Sequence, residues 1–396
     1  MRKTLHILGA GQWQVPTIRL AKQLGYRVFV TDMYAERPGY QLADNFAVVD
    51  ISDRDATLRA AREQHVNGIV CDTTDVGVPT MAWVADQMGL AGIGYETALN
   101  FTNKYRMRSI TSAAGLPNPP YKLARKLSEA YRASSAIGWP VVVKPTDNQS
   151  SRGVRIVACP SQLEWAFSEA VRQSRTGDVL VEGFLEGTEV TVESFCCDGT
   201  VHVAGISDKD HFAQRPEVAS RLTYPADFDP IVLERIEQVN RNVIRALGLK
   251  TGICHAEYIV VGAQPYLVEI AARGAGSRVY SHIVPYLSGA PVPQAYLRFA
   301  VGEDMQIKAN KDSSRAANLA FFCFRPGRVQ SIEGLEKAAQ LPGVEEILLE
   351  FAAGDILREP TDDRSRPGLA LVFGKTREEV LATTAAVFQA VQVRTI

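Results

Sequence analysis

Apolar and polar positions follow two rhythms through the N-terminal third of the chain. Leu5-His6-Ile7-Leu8 has the pattern of a short buried strand, interrupted only by His6. Gly9-Ala10-Gly11 then turns the chain, and Ile18, Ala21 and Leu24 follow at helical spacing until Gly25 stops the helix. Arg27 to Val30 predicts a second strand, Phe46 to Ile51 a third, Arg54 to Gln64 a helix and Gly68 to Cys71 a fourth strand. Strand alternating with helix in this way predicts a parallel sheet with crossover helices.

Further along, Leu163, Ala166, Phe167, Ala170 and Val171 form one apolar stripe at helical spacing and predict a core-facing helix. Lys122 to Arg132 is mixed and charged, the pattern of a solvated helix. The segment from Ser207 to Phe212 and on to Tyr224-Pro225-Ala226 is polar and is expected to be a loop. From Ala316 onward, strand-like runs (Leu319 to Phe324, Glu346 to Phe351, Leu369 to Phe373) alternate with turns, and Thr376 to Val393 is expected to be a helix with Glu378 and Glu379 near its positive end. No repeat or low-complexity tract is present.

Composition narrows the class. The chain has 396 residues, 43 Lys plus Arg against 44 Asp plus Glu, and a formal net charge of -1. That balance argues against a nucleic-acid or anionic-membrane protein, whose usual mark is a basic excess. No apolar stretch is long enough to span a bilayer, and the N-terminus lacks a signal-peptide pattern. Cys71, Cys159, Cys196, Cys197, Cys254 and Cys323 show no CxxC spacing and are expected to be buried free thiols in a reducing cytoplasm. The histidines make no HxxxH or HExxH pair, so a dedicated zinc site is not expected.

Four features carry candidate chemistry. Gly9-x-Gly11 with Asp32 at a strand end resembles half of a dinucleotide fingerprint, but Gln14 holds the place of its third glycine. A tight strand-to-helix turn is the competing explanation. Next, the strand Val141-Val142-Val143 delivers Lys144 beside Pro145, and a small polar loop runs from Asp147 to Gly153. Such a loop can lay backbone N–H groups over phosphates or be a plain hairpin turn. In the third, Glu182 and Glu189 flank a short connector, Gly183-Phe184-Leu185, whose backbone can read an adenine edge; two surface acids beside a loop are the alternative. Finally, Gly262-Ala263 predicts a hairpin that would set Glu257 opposite Glu269 among apolar neighbours. Two close carboxylates repel and invite Mg²⁺, which accepts one or two carboxylates plus substrate phosphates. Arg273 lies four residues beyond Glu269; a buried acid pair satisfied by Arg273 or Arg278 is the competing reading.

Taken in order, the Gly9 turn, Asn103-Lys104, VVVKP at 141–145, the loop to Gly153, VEGFLEGTEVTVE at 181–193, HAEY at 255–258 and LVEIAAR at 267–273 resemble the ATP-grasp superfamily. The N-terminal stretch is similar to carbamoyl-phosphate-synthase-like and carboxyaminoimidazole-ribonucleotide-synthase-like proteins. Pro326-Gly327-Arg328-Val329, Leu341-Pro342-Gly343-Val344, Gly354-Asp355 and Arg366-Pro367-Gly368 resemble the bacilysin-type L-amino acid ligases. The fold this implies is α/β and α+β: a Rossmann-like pre-ATP-grasp domain over 1–103, an ATP-grasp domain over 104–305 with a small lid at about 114–182, and a C-terminal α+β domain over 306–396.

The resemblance also implies roles. Lys104 and Lys144 bind ATP phosphates, with Lys144 also toward adenine, and the loop with Ser151 and Gly153 closes over them. Glu182, Gly183, Phe184 and Leu185 hold adenine, and Glu189 the ribose. Glu257 and Glu269 ligate Mg²⁺, or Mn²⁺ in its place, and Arg273 with Arg278 and Lys144 is catalytic. Ala271 departs from the family, many of whose members have Asn there. His211, Ser277 and His282 are candidates for substrate contact. The implied activity is an ATP-dependent carboxylate–amine ligase working through an acyl phosphate, a cytoplasmic homodimer acting on small molecules. Three rivals are a bicarbonate-dependent carboxylase, an NAD(P)-dependent oxidoreductase and a non-catalytic nucleotide-binding protein.

Overall fold

The computed structural model describes residues 2–149, 151–304, 307 and 314–396. Ser150 in the phosphate-loop candidate and the expected boundary at 305/306 lie outside the described residues.

The N-terminal pattern folds as its rhythm predicts. Four parallel strands stand in the order Asn45–Val48, Arg27–Asp32, Thr4–Leu8, Gly68–Val70, with the helices Val15–Gln23 and Arg54–Glu63 as crossovers. His6 is wholly buried, bonded to Thr31 Oγ1 at 2.9 Å, and burial lowers its pKa to about 3. It is a neutral core residue.

A second, four-stranded antiparallel sheet (Tyr121–Ala124, Val179–Gly183, Val141–Pro145, Arg155–Val157) carries the helices Leu127–Ile137 and Leu163–Gln173. In the second helix Leu163, Ala166, Phe167 and Ala170 are buried, as the stripe requires. The mixed segment 122–132 is not one helix. Its first residues belong to the strand Tyr121–Ala124, and the helix begins only at Leu127.

The main sheet has eight strands, ordered Gln264–Ala271, Gly252–Val261, Thr188–Cys197, Thr200–Phe212, Arg215–Tyr224, Ala316–Phe321, Gly368–Gly374, Val344–Leu349. Two expectations change here. The polar stretch 207–226 is not a loop, because its residues lie on two long antiparallel strands whose polar side chains point into the cleft or find partners. And three C-terminal strands extend the same sheet, joined to it by the pairing of Arg221–Tyr224 with Ala317–Ala320. Among the described residues, Gly327–Glu333, Ile356–Leu357 and Gln392–Thr395 form a separate small sheet. The C-terminal helix is Arg377–Ala390, capped by Thr376, and the chain then returns as the strand Gln392–Thr395.

One core crosses all three segments. Leu5, Ile7, Val28 and Val30 share it with Tyr280, Ile283 and Leu297 and with Leu319, Phe321, Leu369 and Leu371. Among the described residues no helix is long and apolar enough to cross a membrane. The cysteines are free, but only Cys71, Cys196 and Cys254 are buried, and Cys323 is exposed.

The helix Val292–Ala300 packs against the N-terminal sheet at Gly68, where a Cβ would overlap the Ala300 carbonyl. Gly68→Ala is therefore expected to cost about 1–3 kcal/mol by overpacking. The check is a lowered denaturant midpoint at unchanged slope.

Candidate active site

A cleft of about 1660 Å³ opens between the small sheet, the main sheet and the N-terminal domain. Lys104, Lys144, Ser151, Glu182, Gly183, Phe184, Leu185, Glu189, His211, Glu257, Glu269, Arg273 and Ser277 all line it. Gly153 sits in the loop beside it with φ +74, a conformation that favours glycine.

The loop is held through its first three residues. Asp147 does not face the cleft as a ligand; it accepts from Thr176 N at 3.0 Å and Ser174 Oγ at 2.8 Å. Gln149 reaches the N-terminal domain, accepting from Asp75 N at 2.8 Å and donating to Thr74 Oγ1 at 3.3 Å. The loop is thus latched across the cleft mouth.

On the small-sheet side, Glu182 is already saturated. Its Oε1 accepts from Arg108 Nε at 2.6 Å and its Oε2 lies 2.5 Å from Lys144 Nζ, all three side chains being buried. Burial alone would push the Glu182 pKa up, but Arg108 and Lys144 outweigh it and hold it low. Burial lowers the pKa of Lys144, with Glu182 opposing. Phe184 N donates to Pro140 O at 3.2 Å. Glu182 therefore orders Lys144 before it can touch any ligand. Arg108 was missed in the sequence, although it lies four residues after Lys104 on the same helix face.

The main-sheet side is a floor of carboxylates. Glu257 and Glu269 are register partners across the hairpin, as the turn at Gly262-Ala263 predicts. Lys104 Nζ donates to Glu269 Oε1 at 2.6 Å and to Asn148 O at 2.5 Å. Lys209 Nζ bridges Glu189 Oε1 at 2.6 Å and Glu257 Oε1 at 3.2 Å. His211 Nε2 lies 3.2 Å from Glu189 Oε2. Burial would raise the pKa values of Glu189 and Glu257; Lys209 together with His211 at the first and with His255 at the second outweighs it, and both are held low. Burial also works against a charged His255, but Glu193 and Glu257 prevail and raise its pKa to about 9. Lys209 and His255 were also missed; the signal was their spacing two apart from His211 and Glu257, which puts each pair on one strand face.

Arg273 forks onto Asp75 at 2.7 and 2.9 Å, joining the main sheet to the N-terminal domain. Gly274 N donates to Asp72 O at 2.8 Å. Arg278 and His282, by contrast, are not brought to the cleft. Arg278 adopts φ 72, turns away, and forks onto Glu346 at 2.6 and 2.9 Å. With His282 it lines a separate cavity of about 550 Å³ against the helix Val15–Gln23.

The half-fingerprint at Gly9 does not form a dinucleotide site. Gln14 packs over Gly9, accepts from Gly11 N at 3.1 Å and donates to Thr73 Oγ1 at 2.5 Å, filling the space under the turn. Asp32 accepts from Ala10 N at 3.0 Å, Tyr34 N at 3.1 Å and Arg37 Nε at 3.3 Å, which leaves it poorly placed for a ribose.

Among the described residues no three His, Cys, Asp or Glu side chains form a ready-made metal nest. The pair Glu257/Glu269 instead suits a hard ion whose remaining ligands are phosphate oxygens and water.

Residues 137–281 match the family model described as an ATP-grasp domain, and residues 320–395 the one described as L-amino acid ligase C-terminal domain 2. A formate-dependent phosphoribosylglycinamide formyltransferase of Synechococcus sp. (strain CC9902) is 26% identical over 393 residues, 96% of this chain and 94% of that protein. The crystal structure of an L-amino acid ligase from Bacillus licheniformis superposes with a TM-score of 0.86 at 22% identity, covering 100% of this chain and 99% of that one. A phosphoribosylglycinamide synthetase from Anaerococcus prevotii superposes with a TM-score of 0.81 at 20% identity, with both chains fully covered.

Two outcomes follow from the charges. Arg108→Ala leaves Glu182 with Lys144 as its one cationic partner among the described residues and is expected to cost about 1.5–3 kcal/mol, read as a fall in unfolding free energy. His255 has a folded pKa above its unfolded one, so its contribution is complete below about pH 6.5 and is lost as pH rises toward 9. In metal-free protein the stability gap between wild type and His255→Asn should shrink by roughly 3 kcal/mol across that window.

Proposed function

We propose that this chain, which belongs to the ATP-grasp superfamily, is a Mg²⁺- and ATP-dependent ligase that joins a small carboxylic acid to an amine and releases ADP and phosphate. The observation that carries this reading is the facing pair Glu257 and Glu269 in a latched cleft that the cations Lys104, Lys144, Lys209 and Arg273 also line. A carboxylate is a poor acyl donor. Attack of its oxygen on the γ-phosphorus of ATP breaks the bond to ADP and gives an acyl phosphate; an amine then attacks the acyl carbon, phosphate leaves and the amine loses a proton.

The chain's part in this is alignment and charge neutralisation. Lys144, fixed by Glu182, and Lys104, fixed by Glu269, hold phosphate oxygens. Glu189 is placed for the ribose, with Lys209 and His211 orienting it. Glu257 and Glu269 would hold Mg²⁺, which supplies charge neutralisation on the phosphates. Arg273, locked by Asp75, stabilises the acyl phosphate. The loop 147–153, latched by Gln149, keeps water off the acyl phosphate. Ser277, at the glycine-rich turn, borders the acid. Arg278 acts at a distance by fixing that turn, and His282 has no part in the cleft.

The test is ADP release with Mg²⁺ over a grid of amino acids, small carboxylic acids including formate, and bicarbonate. Release that needs both an acid and an amine supports the ligase. Release with bicarbonate points to the carboxylating reaction, and silence with ATP bound points to a non-catalytic protein. Glu269→Gln and Arg273→Met are each expected to lower kcat by about 10²–10³-fold; full turnover in Glu269→Gln would sink the metal assignment.

A further inference from the structure

Glu257 and Glu269 have each committed one oxygen to the chain itself. Oε1 of Glu257 lies 3.2 Å from Lys209 Nζ and 3.5 Å from His255 Nε2. Oε1 of Glu269 lies 2.6 Å from Lys104 Nζ. Both lysines are almost wholly buried, and Lys209 is held on its other side by Glu189 at 2.6 Å. Among the described residues, the Oε2 of neither glutamate has a partner in the chain.

The next position on the same face of each strand completes the row. His255 and Ala271 are register partners, directly beside the pair Glu257 and Glu269, and all four line the cleft. Ala271 offers a methyl group and no donor atom. The polar group at this point therefore comes from the opposite strand, as an imidazole. Its Nδ1 lies 2.8 Å from Oε1 of Glu193, a side chain only 1% exposed. Glu193 in turn accepts from Tyr224 OH at 3.2 Å and Thr191 Oγ1 at 3.3 Å, and Thr191 is bonded to Ser207 at 2.7 Å. The imidazole thus stands on a rigid buried base, with one nitrogen toward that base and the other toward Glu257.

We propose that Glu193 and His255 are a positioning dyad for a single divalent ion, holding Glu257 by Oε1 so that only Oε2 of Glu257 and Oε2 of Glu269 face the cleft. The inference rests on the ATP-dependent reading of this cleft. Two carboxylate oxygens, phosphate oxygens and water complete one octahedral shell. A second ion drawing on either Oε1 would have to displace Lys104 or Lys209 from a buried pair, and sharing out the two Oε2 atoms would leave each ion a single carboxylate oxygen. Groups that orient a metal ligand from behind are worth about 10- to 100-fold in metal affinity.

The experiment titrates the full chain with Mn²⁺ at saturating AMP-PNP, a non-hydrolysable ATP analogue, and counts bound ion from the electron paramagnetic resonance of the free ion. One Mn²⁺ per chain is expected; two would overturn the proposal. His255→Ala should keep that count and weaken Mn²⁺ about 10- to 100-fold, while the thermal midpoint of the metal-free variant reports any general loss of fold. Glu193→Gln keeps the size of the side chain and serves if His255→Ala does not fold. It should weaken Mn²⁺ in the same direction by a smaller factor, and unchanged affinity in a folded variant would overturn the dyad. Failure of AMP-PNP to bind the wild type would bring down the ATP-dependent reading and this inference with it. Analogue bound with two Mn²⁺ would overturn this inference alone.

Discussion

A carboxylate taken out of water is costly unless cations and hydrogen bonds replace its hydration. Around this cleft that requirement is met across elements rather than within them. Glu269 on a main-sheet strand is answered by Lys104 from the helix Lys104–Ala113. Glu182 on the small sheet is answered by Arg108 from the same helix and by Lys144. Asp75 of the N-terminal domain is answered by Arg273. The pairs that make the acids tolerable are therefore also the ties that hold two sheets and a third domain around one opening. Removing a partner would both strand a charge and loosen a wall.

Much of this was legible because it is periodic. The crossover rhythm of the N-terminal domain, the buried stripe of Leu163–Gln173 and the opposition of Glu257 and Glu269 all follow from spacing and a turn signal. Other features depend on partners far away in the chain. Ser207 to Tyr224 has loop-like polarity because its residues are satisfied by cross-strand neighbours and by the cleft, which no local pattern reveals. Arg278 follows a cleft residue directly, yet its positive φ sends it to Glu346. Asp147 has the composition of a phosphate loop, but it caps the connector at 174–176. Gln14 removed the third glycine of a familiar pattern, and only the fold shows that it also fills the site.

The same division separates chemistry from selectivity. The lysines and glutamates are placed by regular strands and one helix, with Arg273 two residues past the strand Gln264–Ala271, so their relation to one another is set by backbone register. The remaining walls of the cleft come from Trp13, the turn at 275–277 and C-terminal residues such as Phe321 and Arg366, brought together from all three segments. Their shape depends on packing between segments, which explains why the charged floor is readable in the sequence while selectivity is not.

The eight-stranded sheet has a consequence for recombination between relatives. The C-terminal matched segment begins at residue 320, inside the strand Ala316–Phe321, and that strand pairs with Arg221–Tyr224 on one side and with Gly368–Gly374 on the other. A graft cut at that point would split one strand between two parents in the middle of a hydrogen-bonded ladder. The C-terminal part is consequently not a detachable cassette. A chimera that exchanges substrate-facing residues has to carry the strand intact and match the side chains of both its neighbours, so specificity and sheet complementarity are inherited together.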